Sequence, residues 1–266
     1  MIINRTIFRY TLKQWLKSHF RLLAVTLVFL AMLAERSFKL YIAERPPLEA
    51  SYSTGDQMAF FVLILGIGIV GLQRSSGNLC LTFARPIERS SYILTKWLVL
   101  ASAACAIAVF ELACEHAIYS VYMPGLFLNI DILINLLERL ATCLAASATI
   151  VFFSSMVPHT GDFMVWGCCA FVTTQINSSC VDILKSTDPD GGGGIFVSLI
   201  YYLSMCGEFV CSLILSFLAP SLNVRGDFLA GETSLLGITV LISNITIALL
   251  LAIWFTNRSE VNYGSS

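Results

Sequence analysis

Five ionisable side chains stand where the chain is otherwise apolar. Glu111 and Glu115 are four residues apart, so on a helix they share one face, with His116 beside them. Glu138 and Arg139 follow near the start of the next apolar run. Carboxylates beside an imidazole can do acid–base or metal chemistry, whereas carboxylates opposite a guanidinium form ion pairs. His19, His116 and His159 are the only histidines, there is no HExxH, and no second histidine stands at ligand spacing. A serine nucleophile needs a base close to it, and nothing marks such a pair. The residue types therefore favour pairing: Arg139 with Glu111 or Glu115. Such a group either lines a substrate path or its outer gate, or clamps two helices, because charges at membrane depth need partners or water.

The nine cysteines are Cys80, Cys105, Cys114, Cys143, Cys168, Cys169, Cys180, Cys206 and Cys211. All lie in or beside apolar runs and none forms a CxxC pair, which suits helix packing better than metal ligation. A disulfide between Cys180 and Cys206 is left open. No metal site is expected.

The elements that position these groups follow from composition. Of 266 residues, 57% are apolar and 12% charged, against roughly 25% charged in an ordinary soluble domain. Mean hydropathy is +0.79. These values exclude a disordered chain, a fibrous chain and an ordinary soluble domain. At roughly 20 apolar residues per helical span, the length accommodates about six or seven spans in a single membrane domain over 1–266. The net charge of −1 gives no basic excess for nucleic acid. Seven apolar runs appear: 20–40, 57–72, 92–123, 132–157, 163–183, 195–219 and 235–255. None alternates as a barrel strand does, so the expected class is an all-α integral membrane protein.

Before the first run, Arg5, Arg9, Lys13, Lys17 and Arg21 recur every four residues, with Ile7, Phe8, Leu12, Trp15, Leu16 and Phe20 between them. A signal peptide has one charged region and then an unbroken apolar core. The comb instead predicts an amphipathic helix over 1–19 on an anionic membrane surface. Arg74, Arg85, Arg89 and Lys96 mark the second connection, and Arg258 the tail. The positive-inside rule makes these three segments cytoplasmic, which requires an even number of full spans. Six spans are therefore expected, with 195–219 as the run that does not cross. It lies in an outer segment, 184–234, and is read as re-entrant or interfacial. It follows Asp188, Pro189, Asp190 and the glycines 191–194, a flexible hinge with no phosphate-binding Lys after it.

The connection over 73–96 is the most informative stretch. It breaks at Gly77, continues through Leu79, and reaches Arg85-Pro86-Ile87-Glu88-Arg89, then Tyr92 and Lys96. Pro86 suits the first turn of a new helix. A short cationic helix at the membrane face can dock a soluble partner; a plain basic loop that only fixes topology is the simpler alternative. Here the chain resembles the permease subunits of type-2 ATP-binding cassette (ABC) exporters. Their segment after the second span has the form Gly-Thr-Leu, a few apolar residues, then Ser/Arg-Pro-Ile-x-Arg-x-x-Tyr-x-x-Gly-Lys. Gly77, Leu79, Arg85, Pro86, Ile87, Arg89, Tyr92 and Lys96 fit it in order, while Asn78 stands for Thr and Thr95 for Gly. The basic N-terminal helix, Pro220 to Phe228 before the last span, and the Phe255–Arg258 tail are similar as well.

The resemblance implies half of a translocation pathway, paired with a second permease subunit as a homodimer or heterodimer. Each copy would rest through the 73–96 coupling segment on a separate ABC ATPase. ATP and Mg would bind that partner, since this chain has no GxxxxGK[ST] loop and holds no cofactor itself. It implies a non-catalytic multi-pass protein among membrane lipids, of the bacterial inner membrane, with both termini cytoplasmic. Two other readings share the hydropathy: a non-transporting anchor or assembly protein, and an intramembrane enzyme.

Overall fold

The computed structural model describes residues 4–42, 56–75, 88–122, 130–157, 159–186, 194–218 and 235–259. Gly77, Leu79, Arg85, Pro86 and Ile87, the glycines 191–193 and Pro220 to Phe228 lie outside the described residues. Among the described residues the chain is almost entirely helical and contains no strand.

The basic comb forms α1, Arg5–Lys17. The Asn4 carboxamide oxygen caps it by accepting from the amides of Thr6 and Ile7. Ser18 interrupts the chain, and α2, His19–Ile42, leaves at 70° to α1. The second apolar run is split into α3, Asp56–Gly66, and α4, Gly71–Ser75. Then come α5, Arg89–Tyr122, α6, Ile130–Met156, α7, Gly161–Ser186, α8, Gly194–Leu218, and α9, Leu235–Ser259.

Four helices among the described residues are long and apolar enough to cross a membrane: α5, α6, α8 and α9. The bent pair α1–α2 makes a fifth if taken as one span. The chain is thus a multi-pass helical membrane protein, and two runs behave differently from the sequence reading. The run 163–183 lies in α7, where Thr173, Thr174, Gln175, Asn177, Ser178 and Ser179 dilute the apolar content, and α7 is not one of the four. The run 195–219 does have the required length and composition as one continuous helix, α8.

The centre of the bundle is α6. Two-thirds of its apolar window, 67%, is buried, against 11% for α8, which lies at the edge. α6 packs against α3, α5, α7 and α9, and α8 pairs along α7. Small residues allow this: Cys143, Ala145, Ala146 and Ala148 on α6 and Ala248 and Ala252 on α9 are buried. Phe152 meets Phe255 and Phe217 with ring centroids 6.0 Å apart in each case.

The three basic segments of the sequence meet at one end of this bundle. There the start of α5 touches α1, α4 and the end of α9. The end of α6 and the start of α7 lie against the α3–α4 break at the same place.

Candidate functional site

At the basic end, α1 is fastened to α5. The Asn4 amide donates to Thr95 Oγ1 at 3.1 Å, and Lys96 Nζ donates to Thr11 Oγ1 at 2.9 Å. Lys96 is 1% exposed and lies 5.6 Å from the centroid of the Tyr92 ring. The Tyr92 hydroxyl in turn donates to Gln73 Oε1 at 2.5 Å, within α4. Of the residues expected in the coupling segment, Tyr92 and Lys96 are therefore turned inward. They fix the segment's two flanks to this chain and present no surface to a partner. Arg89 is partly exposed and donates to the carbonyl of Asn257 at 3.2 Å, joining α5 to the end of α9.

The comb itself divides. Arg5, Arg9, Lys13 and Lys17 are exposed, whereas Trp15, expected at an interface, is buried among core residues. Lys96→Met removes the donor that holds Thr11, and such a hydrogen bond is worth about 0.5–1.5 kcal/mol. Limited proteolysis in membranes should then release residues 1–18 faster than in the native chain, and Thr11→Val should do so more weakly.

The second polar group is the break between α3 and α4. In an unbroken helix the amides of Gly68, Val70 and Gly71 would bond back four residues. Instead Gly68 donates to Asp162 Oδ2 at 2.7 Å, and Val70 and Gly71 donate to Ser154 Oγ at 3.1 and 3.2 Å. The released carbonyls of Leu65 and Ile67 accept from the Arg21 guanidinium at 3.4 and 2.6 Å. Gly68 has φ +64°, which glycine adopts without strain. Non-helical backbone at membrane depth persists only when protein satisfies it, and these side chains do so. None of Arg21, Ser154 and Asp162 stood out as part of such a site in sequence. Two further glycines permit close packing within the chain: Gly66 lies against Ile150 and Leu100, and Gly71 against the carbonyls of Val157 and His159.

The third group lies in the far half of α5. Arg139 on α6 reaches both carboxylates, with Nη2 2.5 Å from Glu115 Oε2 and Nη1 3.3 Å from Glu111 Oε2. All three are about 1% exposed, and Arg139 Nε donates to Asn135 Oδ1 at 2.6 Å. The guanidinium thus joins α5 to α6 twice, where the spacing pointed to a single pairing.

The end of α8 is the fourth. Its last three carbonyls are each taken by a different helix. Asn244 Nδ2 on α9 donates to Ser216 O at 3.0 Å, Thr149 Oγ1 on α6 to Phe217 O at 3.0 Å, and Trp166 Nε1 on α7 to Leu218 O at 3.0 Å. A helix end leaves its final carbonyls without intrahelical partners, so one that stops inside a bundle needs such donors. Thr149 and Asn244 stand within α6 and α9 and not at their ends, so α8 stops part-way along them.

Cys180 and Cys206 are both free thiols; Cys180 Sγ packs against Gly207. No group of three or more metal-ligating side chains occurs among the described residues. No protein-family model matches this sequence, and no curated protein is significantly similar to it.

Proposed function

We propose that this chain is the transmembrane subunit of a type-2 ABC exporter. It forms half of the translocation pathway, pairs with a second permease subunit and is driven by a separate ATPase that binds ATP and Mg. The observation that carries the reading is the bracing of the 73–96 segment. Its two flanks are fixed by Gln73–Tyr92 and by Thr11–Lys96, and Arg89 ties it to the chain's last helix. A loop that only sets topology has no need of a buried lysine and tyrosine at its root.

In this reading the basic end is cytoplasmic, as is expected in a bacterial inner membrane. α1 lies at the interface with Arg5, Arg9, Lys13 and Lys17 towards anionic headgroups. Six crossings are made by α2, α3–α4, α5, α6, α7 and α9. α8 enters from the outer side and stops within the bundle, which the capping of its last turn by three helices supports. The Glu111, Glu115 and Arg139 group then sits in the outer half. Two ion pairs from one guanidinium favour its role as a helix clamp over a path lining.

Co-purification tests the assignment. The chain, tagged at its C-terminus, should bring down a stoichiometric ABC ATPase, and Arg85→Glu with Arg89→Glu should lose it. A folded chain that brings down no ATPase in either form removes the transporter reading and leaves the membrane-anchor and intramembrane-enzyme readings.

A further inference from the structure

We propose that Cys105 and Cys143 form a dithiol modification site between α5 and α6, closed to a disulfide by an apolar organic hydroperoxide. The proposal stands on the α5–α6 seam and does not depend on the permease reading.

Both residues are free thiols. Cys105 lies near the midpoint of the 34-residue α5, and Cys143 near the midpoint of the 27-residue α6. Their side chains interact directly across the seam. Two other links set the register there. The Trp97 indole on α5 donates to Leu144 O on α6 at 3.0 Å, and further along α5 Glu111 meets Arg139 of α6. The helices are therefore antiparallel, and the two thiols fall between those links. Small side chains let the helices approach closely: Ala101, Ala104 and Ala108 on α5 and Ala146 on α6 are buried. A disulfide needs Cα atoms within about 7 Å, a spacing that such a seam allows.

The thiols differ in access. Cys143 is 1% exposed, whereas Cys105 is partly exposed and lies one turn before the exposed Val109. Cys105 is therefore the thiol that meets an oxidant, and Cys143 the one that resolves it. Cys105 Sγ attacks the terminal oxygen of the hydroperoxide. The O–O bond breaks, the alcohol leaves with the thiol proton, and Cys105 becomes a sulfenic acid. Cys143 Sγ then attacks Cys105 Sγ; the S–S bond forms, the S–O bond breaks, and water leaves with the second thiol proton. The two thiols lose two electrons and the hydroperoxide gains them.

Depth selects the oxidant. Cys105 is about 25 Å from either end of α5, at 1.5 Å per residue, so it lies in hydrocarbon in a spanning helix. A hydroperoxide of fatty-acyl character dissolves there, whereas hydrogen peroxide stays mostly in water. The product would be a staple one turn along α6 from Arg139, joining the same two helices.

The test uses the full chain in phosphatidylethanolamine–phosphatidylglycerol nanodiscs. It is treated with cumene hydroperoxide or hydrogen peroxide at equal concentration, alkylated, and digested without reduction for peptide mass analysis. A Cys105–Cys143 linked pair, lighter by two hydrogens, should form about fivefold faster or more with cumene hydroperoxide. Cys105→Ser and Cys143→Ser should each abolish it, and in Cys143→Ser dimedone should trap the sulfenic acid at Cys105. The oxidised native chain should unfold about 5 °C higher or more, and a reductant should reverse the shift. Two cysteines that only pack would leave the pair unlinked while the exposed Cys168 and Cys169 are oxidised, and this result overturns the proposal. Links scattered equally among the other cysteines overturn it too, and an equal or faster reaction with hydrogen peroxide overturns the apolar class of oxidant. None of these results changes with whether an ATPase co-purifies.

Discussion

Arg139→Leu should cost about 3–5 kcal/mol of folding stability, because it removes the guanidinium and leaves the carboxylates of Glu111 and Glu115 buried without it. The measurement is retained fold in detergent as a function of temperature or denaturant. Arg139→Gln should behave similarly, since a neutral amide cannot offset two buried charges. Paired with Glu111→Gln it should lose less than the sum of the single losses, with a coupling of about 1–3 kcal/mol. Glu115→Gln should couple more strongly than Glu111→Gln, because its contact with Arg139 is 2.5 Å against 3.3 Å. Additive losses would show that the three side chains do not act as one group. Replacing all three by Leu or Met of similar volume separates clamp from pathway. Buried ion groups exchanged for packed apolar residues are often neutral or stabilising by about 1–4 kcal/mol. A clamp would then keep both fold and transport; a pathway lining would keep the fold and lose transport.

Gly71→Ala should also be severe, and for a steric reason. A Cβ there would lie 2.6 Å from the carbonyl oxygens of both Val157 and His159. Both obstacles are main chain, so no side-chain rotation relieves the contact. Overpacking costs about 1–3 kcal/mol where neighbours can adjust, and the upper end applies here. Separation of α4 from the α6–α7 turn would add the Ser154 and His159 hydrogen bonds, each worth about 1 kcal/mol. A total of about 3 kcal/mol or more is expected. Gly167→Ala is the control. Nothing lies within 4 Å of a Cβ at that helical position, so the change should be neutral or should gain up to about 1 kcal/mol of helix propensity. Thermal unfolding of the two variants should diverge in sign, and equal effects would show that Gly71 is not tightly enclosed.

The legible parts of this protein were those where one physical signal acts alone. The runs that became α5, α6 and α9 are long and apolar enough that hydropathy places them despite a few ionisable residues. Arg139 was legible because a cation in an apolar run has few partners to choose from. The break at 67–70 was hidden by its own composition. Gly66 to Gly71 reads Gly-Ile-Gly-Ile-Val-Gly, an apolar stretch that satisfies any span criterion, while the residues that permit the break are far away in sequence. Asp162 and Ser154 carried no signal in sequence, because their partners are backbone amides that no pattern displays. α7 was taken for an apolar span although its middle is rich in Ser, Thr, Asn and Gln. Trp15 illustrates a different limit: an aromatic residue on an amphipathic helix suits a lipid interface and a protein groove equally, and only the neighbouring face of α5 decides.

The tip of α8 stands on three legs. Because Ser216, Phe217 and Leu218 are held by α9, α6 and α7 respectively, their relative tilt is limited. Shear among those helices stretches one of the three bonds before the others, so the joint resists tilting in any direction. One leg is the indole of Trp166, one of four tryptophans in the chain.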